Sequence, residues 1–142
     1  MLKFLKRVHK AELQNIRTLW ADAEPVLSAR FAAESVDHLW LNHPDPWPKQ
    51  RHRRKRFVRR EKMEIVWRLL RPGGGFSLRT DARAYADEAL ELLERMDGFE
   101  NVGGRPHDFA LAPLVPFETQ FESRCKQHGL PIFYLEYRKR GP

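Results

Sequence analysis

The order of apolar and polar residues along the chain follows helical spacing in some segments and strand spacing in others. Four helices are predicted. Three of them follow from apolar residues spaced three and four positions apart, and the helix that begins at about residue 25 follows from a proline suited to a first turn. The helices cover residues 1–13, about 25–33, the segment from Met63 to Leu70, and 82–96. Short apolar or alternating runs predict four strands, at residues 15–19, 36–42, 76–80 and 132–138. Because strands and helices alternate, the sequence predicts one α/β domain over residues 1–142 with a mainly parallel sheet.

Two of these strands differ in how their apolar residues are distributed. Leu39, Trp40 and Leu41 form a continuous apolar centre, which is typical of a strand covered on both faces. The strand at 132–138 alternates apolar and polar residues, which predicts a half-buried edge strand. Residues 103–118 hold three prolines and are predicted to form a loop.

Polar side chains lie at the ends of three predicted strands. Asp22 comes after the first strand, residues 42–49 end the second and follow it, and residues 79–81 close the third. In open α/β sheets, ligands bind beyond the carboxyl ends of the strands. We therefore expect the functional residues in these three segments.

Charge is concentrated in one part of the chain. The net charge is +7, and residues 49–60, called the cationic segment below, hold eight Lys or Arg and no acid. Subtracting this +8 from the total leaves the remaining residues at −1. Such a cluster favours a polyanionic partner, nucleic acid first, and the alternative is a solvated run or a localisation signal.

The composition disfavours several classes of protein. No stretch approaches the roughly 18 consecutive apolar residues that a membrane span needs, and the N-terminus lacks a secretion signal. Cys125 is the single cysteine, and the six histidines lack ligand spacing, so neither a disulfide nor a metal centre is expected. These features predict a soluble cytoplasmic protein without a metal or a membrane partner.

The most specific string in the sequence is the proline-rich loop Pro44-Asp-Pro-Trp-Pro48. Three prolines in five residues exclude a helix or a central strand, so Asp45 and Trp47 are presented on a stiff loop. Asp45 can accept from the N–H edge of a base, Trp47 can stack, and the cationic segment can hold phosphates. The alternative is structural, with Trp47 in the core and Asp45 capping the next turn.

Residues 42–49, Asn-His-Pro-Asp-Pro-Trp-Pro-Lys, followed by Arg51-His52, resemble the signature of the bacterial tRNA (guanine-N7)-methyltransferase family, the TrmB group. Four further segments resemble motifs of that family in the same order along the chain. They are Asn15-Ile-Arg17 with Ala21-Asp-Ala23, Leu70-Arg-Pro-Gly-Gly-Gly75, Arg79-Thr-Asp81 with Tyr85-Ala86, and Thr119-Gln-Phe-Glu122. The resemblance covers essentially the whole chain, and the first motif is the most specific.

The resemblance implies a Rossmann-like, class I methyltransferase fold that transfers a methyl group from S-adenosylmethionine to N7 of a guanosine in the tRNA variable loop. Asp45 matches the catalytic position, and both Asp22 and Asp45 match positions that contact the methyl donor. The remaining matched positions bind tRNA, the expected partner; they are Lys49, Arg51, His52, Arg53, Arg54, Lys55, Arg56, Asp81, Thr119, Gln120, Phe121 and Glu122.

The chemistry of this reaction needs alignment more than acid–base catalysis. Guanine N7 has a free lone pair and no proton to lose, and the sulfonium of the donor is already a strong electrophile. A carboxylate at Asp45 can hold the guanine N1–H and N2–H₂ groups and offset the positive charge that develops on the ring. No metal or covalent nucleophile is required.

Structural roles compete with functional ones at three acids, and two positions depart from the family pattern. Asp22 can cap a helix, Asp81 can cap the helix at 82–96, and Glu122 can be a solvated surface acid. Gln120 replaces a lysine, which removes one cationic contact, and His43 replaces the usual phenylalanine.

The family resemblance also implies an N-terminal glycine-rich turn for the methyl donor, whereas the first glycine in this chain is Gly73. The chain is therefore expected to be the truncated, carboxyl-terminal two-thirds of the family fold, whose unpaired strand edges would permit self-association. Besides an enzyme or a fragment of one, two hypotheses stay open. One is a catalytically inactive RNA-binding remnant of the family, and the other, which the rigid loop disfavours, is a basic structural protein.

Overall fold

The computed structural model describes residues 2–105 and 107–141. In these ranges the chain forms five α-helices, four strands and one short 3-10 helix at Gln50–Lys55. The helices are α1 Leu2–Lys10, α2 Ala23–Arg30, α3 Arg60–Leu69, α4 Arg83–Glu94 and α5 Gln120–Gln127. The strands are β1 Val36–Asn42, β2 Leu70–Thr80, β3 Phe99–Asn101 and β4 Phe133–Lys139. Three residues included in the predicted elements and domain, Met1, Pro106 and Pro142, lie outside the described residues.

The four strands form one sheet in the order β1-β2-β4-β3. β1 and β2 pair in parallel, while β4 is antiparallel to both of its neighbours. Three strands therefore run in one direction and β4 alone is reversed. Parallel strands need a crossover, and α3 supplies it between β1 and β2. The α/β class predicted from the sequence is confirmed. The sheet in the described ranges is mixed rather than mainly parallel by pairing, because one of its three strand pairs is parallel and two are antiparallel.

The two faces of the sheet differ in polarity. On one face, the register places Phe76 opposite Tyr137 and Leu78 opposite Leu135. These side chains form the hydrophobic core together with buried residues of α3 and α4, namely Met63, Val66, Tyr85, Ala86, Ala89 and Leu93. Most of these helical residues are three or four positions apart, which is the spacing that predicted the two helices, whereas Trp67, which has the same spacing, is 40% exposed.

The other face of the sheet carries a buried polar network. The Ser77 hydroxyl donates to the Glu136 carboxylate, so the His38 Nε2 atom, 2.7 Å from the Ser77 oxygen, must donate to it. Trp40 stacks on the His38 ring with the centroids 3.9 Å apart. Burial raises the pKa of Glu136 despite the hydrogen bond from Ser77. Polar residues of three adjacent strands are thus satisfied by one another.

Four predictions about strands need correction. β1 is not covered on both faces, because Trp40 in its centre is 40% exposed. Residues 15–19 form no strand, and the side chain of Arg17 bonds to carbonyls of its own segment. β4 lies inside the sheet rather than at its edge, because its polar residues Tyr134 and Glu136 are buried by hydrogen bonds. β2 begins at Leu70, inside the predicted helix, and its regular pairing with β1 starts only at Gly75. The short strand β3 was not predicted.

A buried arginine connects β2 to the loop before α5 and to α5 itself. Arg79 is 0% exposed, and its Nη1 atom donates to the Phe117 carbonyl at 2.6 Å and to Glu122 Oε2 at 3.0 Å. Its Nη2 atom donates to the Val115 carbonyl at 3.1 Å. Glu122 also accepts from the Tyr134 hydroxyl, so one carboxylate joins β2, β4 and α5.

Glu122 is therefore a structural anchor rather than the solvated acid that the sequence left open. It is 1% exposed, and with Thr119 it forms a reciprocal cap at the start of α5. Burial raises the pKa of Glu122, but the Tyr134 hydrogen bond, the Thr119 N–H and the charge of Arg79 outweigh burial and leave the pKa lowered.

No helix in the described ranges has the length and apolar character needed to cross a membrane.

We predict that Glu122→Gln destabilises the protein by about 3 kcal/mol, because it leaves the buried Arg79 charge without its partner. Since the folded pKa of Glu122 is lowered, this contribution is present above the unfolded pKa of about 4.3 and is lost as pH falls through the folded pKa. Urea denaturation at several pH values measures both effects. Glu118→Gln is the control, because Glu118 is exposed and pairs with Lys126. Equal midpoints for the two variants would contradict the anchor role.

Candidate functional site

The carboxyl ends of β1 and β2 lie side by side and begin the candidate site. Asn42 is paired with Arg79, and the backbone N–H of His43 donates to the Arg79 carbonyl at 2.8 Å. The proline loop that follows β1 and the Thr80-Asp81 segment that ends β2 therefore leave the sheet at the same edge. This is the position that the sequence predicted for the ligand site.

The proline loop is held in a backbone conformation that is unusual for its residues. His43 and Trp47, on either side of Pro44-Asp45-Pro46, have φ angles of +48° and +42°. A left-handed conformation at a non-glycine residue costs on the order of 1–3 kcal/mol and persists only where the surroundings impose it. The Asp45 side chain between them is exposed and makes no hydrogen bond to the described part of the chain. The loop therefore presents a free carboxylate, and the alternative that Asp45 caps the next turn is wrong.

Arg56 holds the proline loop from behind. It is 5% exposed, its Nε atom donates to the Pro46 carbonyl at 2.7 Å, and its Nη2 atom donates to the Trp47 carbonyl at 2.9 Å. Its Nη1 atom pairs with Glu88 of α4. Trp47 itself is half-buried under Lys55, whose Nζ atom lies 4.6 Å from the ring centroid.

The cationic segment divides into paired and unpaired residues. Arg53 and Arg56 both pair with Glu88, Arg59 pairs with Glu61, and Arg60 lies 3.6 Å from Glu64. The other four cations have no acidic partner among the described residues and are exposed; they are Lys49, Arg51, Arg54 and Lys55. The charge of +8 read from the sequence therefore offers four free cations to a ligand. His52 is half-buried beside Trp47 and 3.3 Å from Arg51 Nε.

His43 is the least satisfied polar side chain at this edge. Both ring nitrogens are buried without a hydrogen-bond partner in the described structure, as is Nε of Arg79. The ring lies against Phe121 at the start of α5, with 4.4 Å between centroids. Burial lowers the pKa of His43, the charges of Asp81 and Glu122 raise it, and the charge of Arg79 lowers it. The imidazole is therefore held in its neutral form.

Three of the remaining predicted site residues lie near His43 or on the first turn of α5, and one, Asp22, lies at the start of α2. Asp81 and Phe121 lie beside His43, and Gln120 is exposed on the first turn of α5. Asp22 caps α2, accepting from the Glu24 N–H at 3.2 Å, as the structural alternative stated. Asp81 does not cap α4, whose N-cap is Ala82. Instead, the Thr80 hydroxyl accepts from the Ala82 N–H at 3.2 Å.

Glu88 is the site residue that sequence reasoning missed. It lies on the polar side of α4 near Asp87 and Glu91, where an acid is expected to be an ordinary solvated residue. Its importance comes from Arg53 and Arg56, which are more than thirty positions away in the sequence. No local pattern indicated this pairing.

Comparison with known proteins identifies the family. A family model described as "Putative methyltransferase" matches residues 1–135. The chain belongs to this methyltransferase family. It is 40% identical over 136 residues to the tRNA (guanine-N(7)-)-methyltransferase of Alkalilimnicola ehrlichii, covering 96% of this chain and 56% of that protein. The enzyme of the same name from Pseudomonas putida is 39% identical over 132 residues, covering 91% and 53%.

A third relative of the same name, from Leifsonia xyli, is 40% identical over 126 residues, covering 89% of this chain and 55% of that protein. The chain thus spans about half the length of the curated relatives it matches. The resemblance to tRNA (guanine-N7)-methyltransferases found in the sequence motifs is confirmed.

Solved structures support the fold class. A SAM-dependent O-methyltransferase from Thermotoga maritima superposes with a TM-score of 0.50 at 18% identity, covering 96% of this chain and 44% of that one. The cyclase SpnF gives a TM-score of 0.51 at 18% identity, covering 97% and 61%. At this level of identity the likeness concerns the fold, and the predicted Rossmann-like class is confirmed.

We predict that His43→Phe raises the free energy of unfolding by about 1 kcal/mol at neutral pH, because two buried polar atoms without partners are removed. The folded pKa of His43 is lowered, so the unfolded state binds more protons below its pKa of about 6.5. The free energy of unfolding of the wild type should therefore fall as pH decreases through this value. In the variant, the dependence of the free energy of unfolding on pH should be weaker. Thermal unfolding between pH 5 and 8 measures both, and an unchanged slope would contradict burial of the neutral ring.

Proposed function

We propose that this methyltransferase-family chain takes part in methyl transfer from S-adenosylmethionine to N7 of a guanosine in the tRNA variable loop. The observation that carries the proposal is the free Asp45 carboxylate, held between two left-handed residues and beside four unpaired cations. The name shared by the curated relatives supports the choice of guanine N7 and tRNA.

Asp45 is proposed to be the catalytic residue and to act by alignment. Its carboxylate accepts the guanine N1–H and N2–H₂ donors and opposes the positive charge that the ring acquires when N7 is methylated. A rigid loop suits this role, because a ligand aligned by a fixed group loses little freedom in the transition state. Of the two acids predicted to contact the methyl donor, Asp45 has a free carboxylate, whereas Asp22 already accepts a capping bond. S-adenosylmethionine supplies the electrophilic methyl group when bound.

The proposed tRNA surface is narrower than the sequence alone suggested. Lys49, Arg51, Arg54 and Lys55 lack acidic partners in the described structure and are the proposed phosphate contacts. Around the base, the proposed contacts are Asp81, Gln120 and Phe121. Thr119 and Glu122 are proposed to support these contacts by capping α5, and His52 is proposed to support the loop by packing against Trp47.

A second candidate function is RNA binding without methyl transfer. It is favoured by the capping role of Asp22, which engages one of the two acids predicted to contact the methyl donor. Isothermal titration with S-adenosylmethionine separates the candidates. Saturable binding supports the enzyme, and tRNA binding without donor binding supports the RNA-binding protein.

We predict that tRNA affinity depends on salt through the four unpaired cations. Four phosphate contacts give a slope of log K against log salt between about −2.8 and −3.6. The triple variant Arg51→Ala, Arg54→Ala and Lys55→Ala should flatten this slope by about 2 to 3 units, measured by fluorescence anisotropy.

The matched control is Arg53→Ala, Arg59→Ala and Arg60→Ala. It also removes three positive charges, but each of them is already paired with a glutamate. We expect it to change the slope by less than about one unit. If both triple variants flatten the slope equally, the division of the segment into paired and unpaired cations is wrong.

We predict that Asp45→Asn slows methyl transfer about ten- to a hundredfold with little change in tRNA affinity. The loss of one charged hydrogen bond to the guanine edge costs about 1.5–3 kcal/mol. Single-turnover transfer from labelled S-adenosylmethionine to tRNA, with anisotropy for binding, measures the two effects separately. Asp97→Asn is the control, because Asp97 is an exposed acid after α4. Wild-type turnover in Asp45→Asn would remove Asp45 from the mechanism.

A further inference from the structure

Arg56 differs from every other residue of the cationic segment. It is the buried cation of that segment, whereas the other seven Lys and Arg residues are exposed or half-buried. All three of its nitrogen atoms have partners inside the protein. We propose that Arg56 is a positioning residue that holds the Asp45 loop in place, and not a contact for an RNA phosphate. The inference rests on the proposed function in so far as Asp45 acts on the base.

The contacts of Arg56 are directed at the two residues that follow Asp45. Nε and Nη2 donate to the carbonyls of Pro46 and Trp47 at 2.7 and 2.9 Å, while Nη1 pairs with Glu88. A planar guanidinium can make these bonds simultaneously because its donors are fixed in a fork. The backbone that carries Asp45 is thereby tied to the middle of α4.

The proline loop needs such a donor because it has few of its own. Pro44, Pro46 and Pro48 have no backbone N–H, so only Asp45 and Trp47 can donate a backbone hydrogen bond within the loop. His43 and Trp47 add strain through their positive φ angles. Arg56 satisfies two of the carbonyls and opposes the relaxation of Trp47.

Glu88 orients the guanidinium from the opposite side. Its two carboxylate oxygens pair with Arg56 and with Arg53. The segment after Arg56 is fixed to the same helix, since the Tyr85 hydroxyl accepts from the Val58 N–H at 3.1 Å. The Arg56 Cζ atom also lies 5.5 Å from the Tyr85 ring centroid. A phosphate could reach this guanidinium only by breaking the pair with Glu88 and opening the loop.

The test compares Arg56→Gln with Arg54→Gln, its exposed and unpaired neighbour. We expect Arg56→Gln to lower the ¹⁵N order parameters of Asp45 and Trp47 from about 0.85 to below about 0.6. Its salt slope for tRNA binding should stay within about 0.3 units of the wild type, and methyl transfer at saturating tRNA should fall at least about tenfold. Arg54→Gln should show wild-type order parameters and a slope flatter by about 0.7 to 0.9.

Arg56→Lys keeps the charge and tests the geometry if Arg56→Gln fails to fold. A phosphate contact survives this change, whereas the forked contact to two carbonyls does not, so loop order should still fall. Glu88→Gln should also lower loop order, and because it releases the exposed Arg53 from its acidic partner, the salt slope should not become flatter. A flatter slope in Arg56→Gln with unchanged order parameters would overturn the proposal. If the wild-type chain transfers no methyl group, that result contradicts the proposed function. The order parameters and salt slopes still test the role of Arg56 in that case.

Discussion

The architecture of the candidate site depends on the buried charge of Arg79. A guanidinium that is fully removed from water must have its charge and its donors matched, because an unpaired buried charge costs several kcal/mol. Glu122 supplies the charge, and the carbonyls of Phe117 and Val115 accept from Nη1 and Nη2, while Nε has no partner in the described structure. This requirement places α5 and the preceding loop against the carboxyl end of β2. Phe121 is brought onto His43 as a consequence.

Arg56 is a second buried guanidinium at the same edge of the sheet, and its charge and donors also have partners inside the protein. Both arginines give donors to carbonyls of irregular backbone and give their charge to one glutamate, Glu122 or Glu88. They differ in what they fix, since Arg79 holds a helix while Arg56 holds the loop that carries Asp45. Arginine is suited to both tasks because its donors are many and rigidly arranged. A run of basic residues can therefore contain arginines that stabilise the protein itself and do not contact a bound polyanion.

This construction agrees with the chemistry proposed for the protein. Methylation of guanine N7 removes no proton, so the protein has no need of a general base in the reacting geometry. What the reaction requires is a fixed alignment of the base, the donor and one opposing charge. The strained residues His43 and Trp47 and the contacts of Arg56 lie on either side of Asp45, the residue proposed to align the base. The exposed cations lie on the 3-10 helix and its entrance, next to the loop, where phosphates can approach.

The sequence by itself determined the features that depend on local spacing. The helix at 83–94, the strand at 36–42, the proline loop at the carboxyl end of that strand and the family motifs were all readable, because periodicity and proline act on neighbouring residues. Tertiary structure decided the features that depend on partners distant in sequence. Tyr134 and Glu136 are buried because Glu122 and Ser77 satisfy them, which made β4 an inner strand. Likewise, only the fold showed which cations have acidic partners, since the acid bound to Arg53 and Arg56 comes from a different helix.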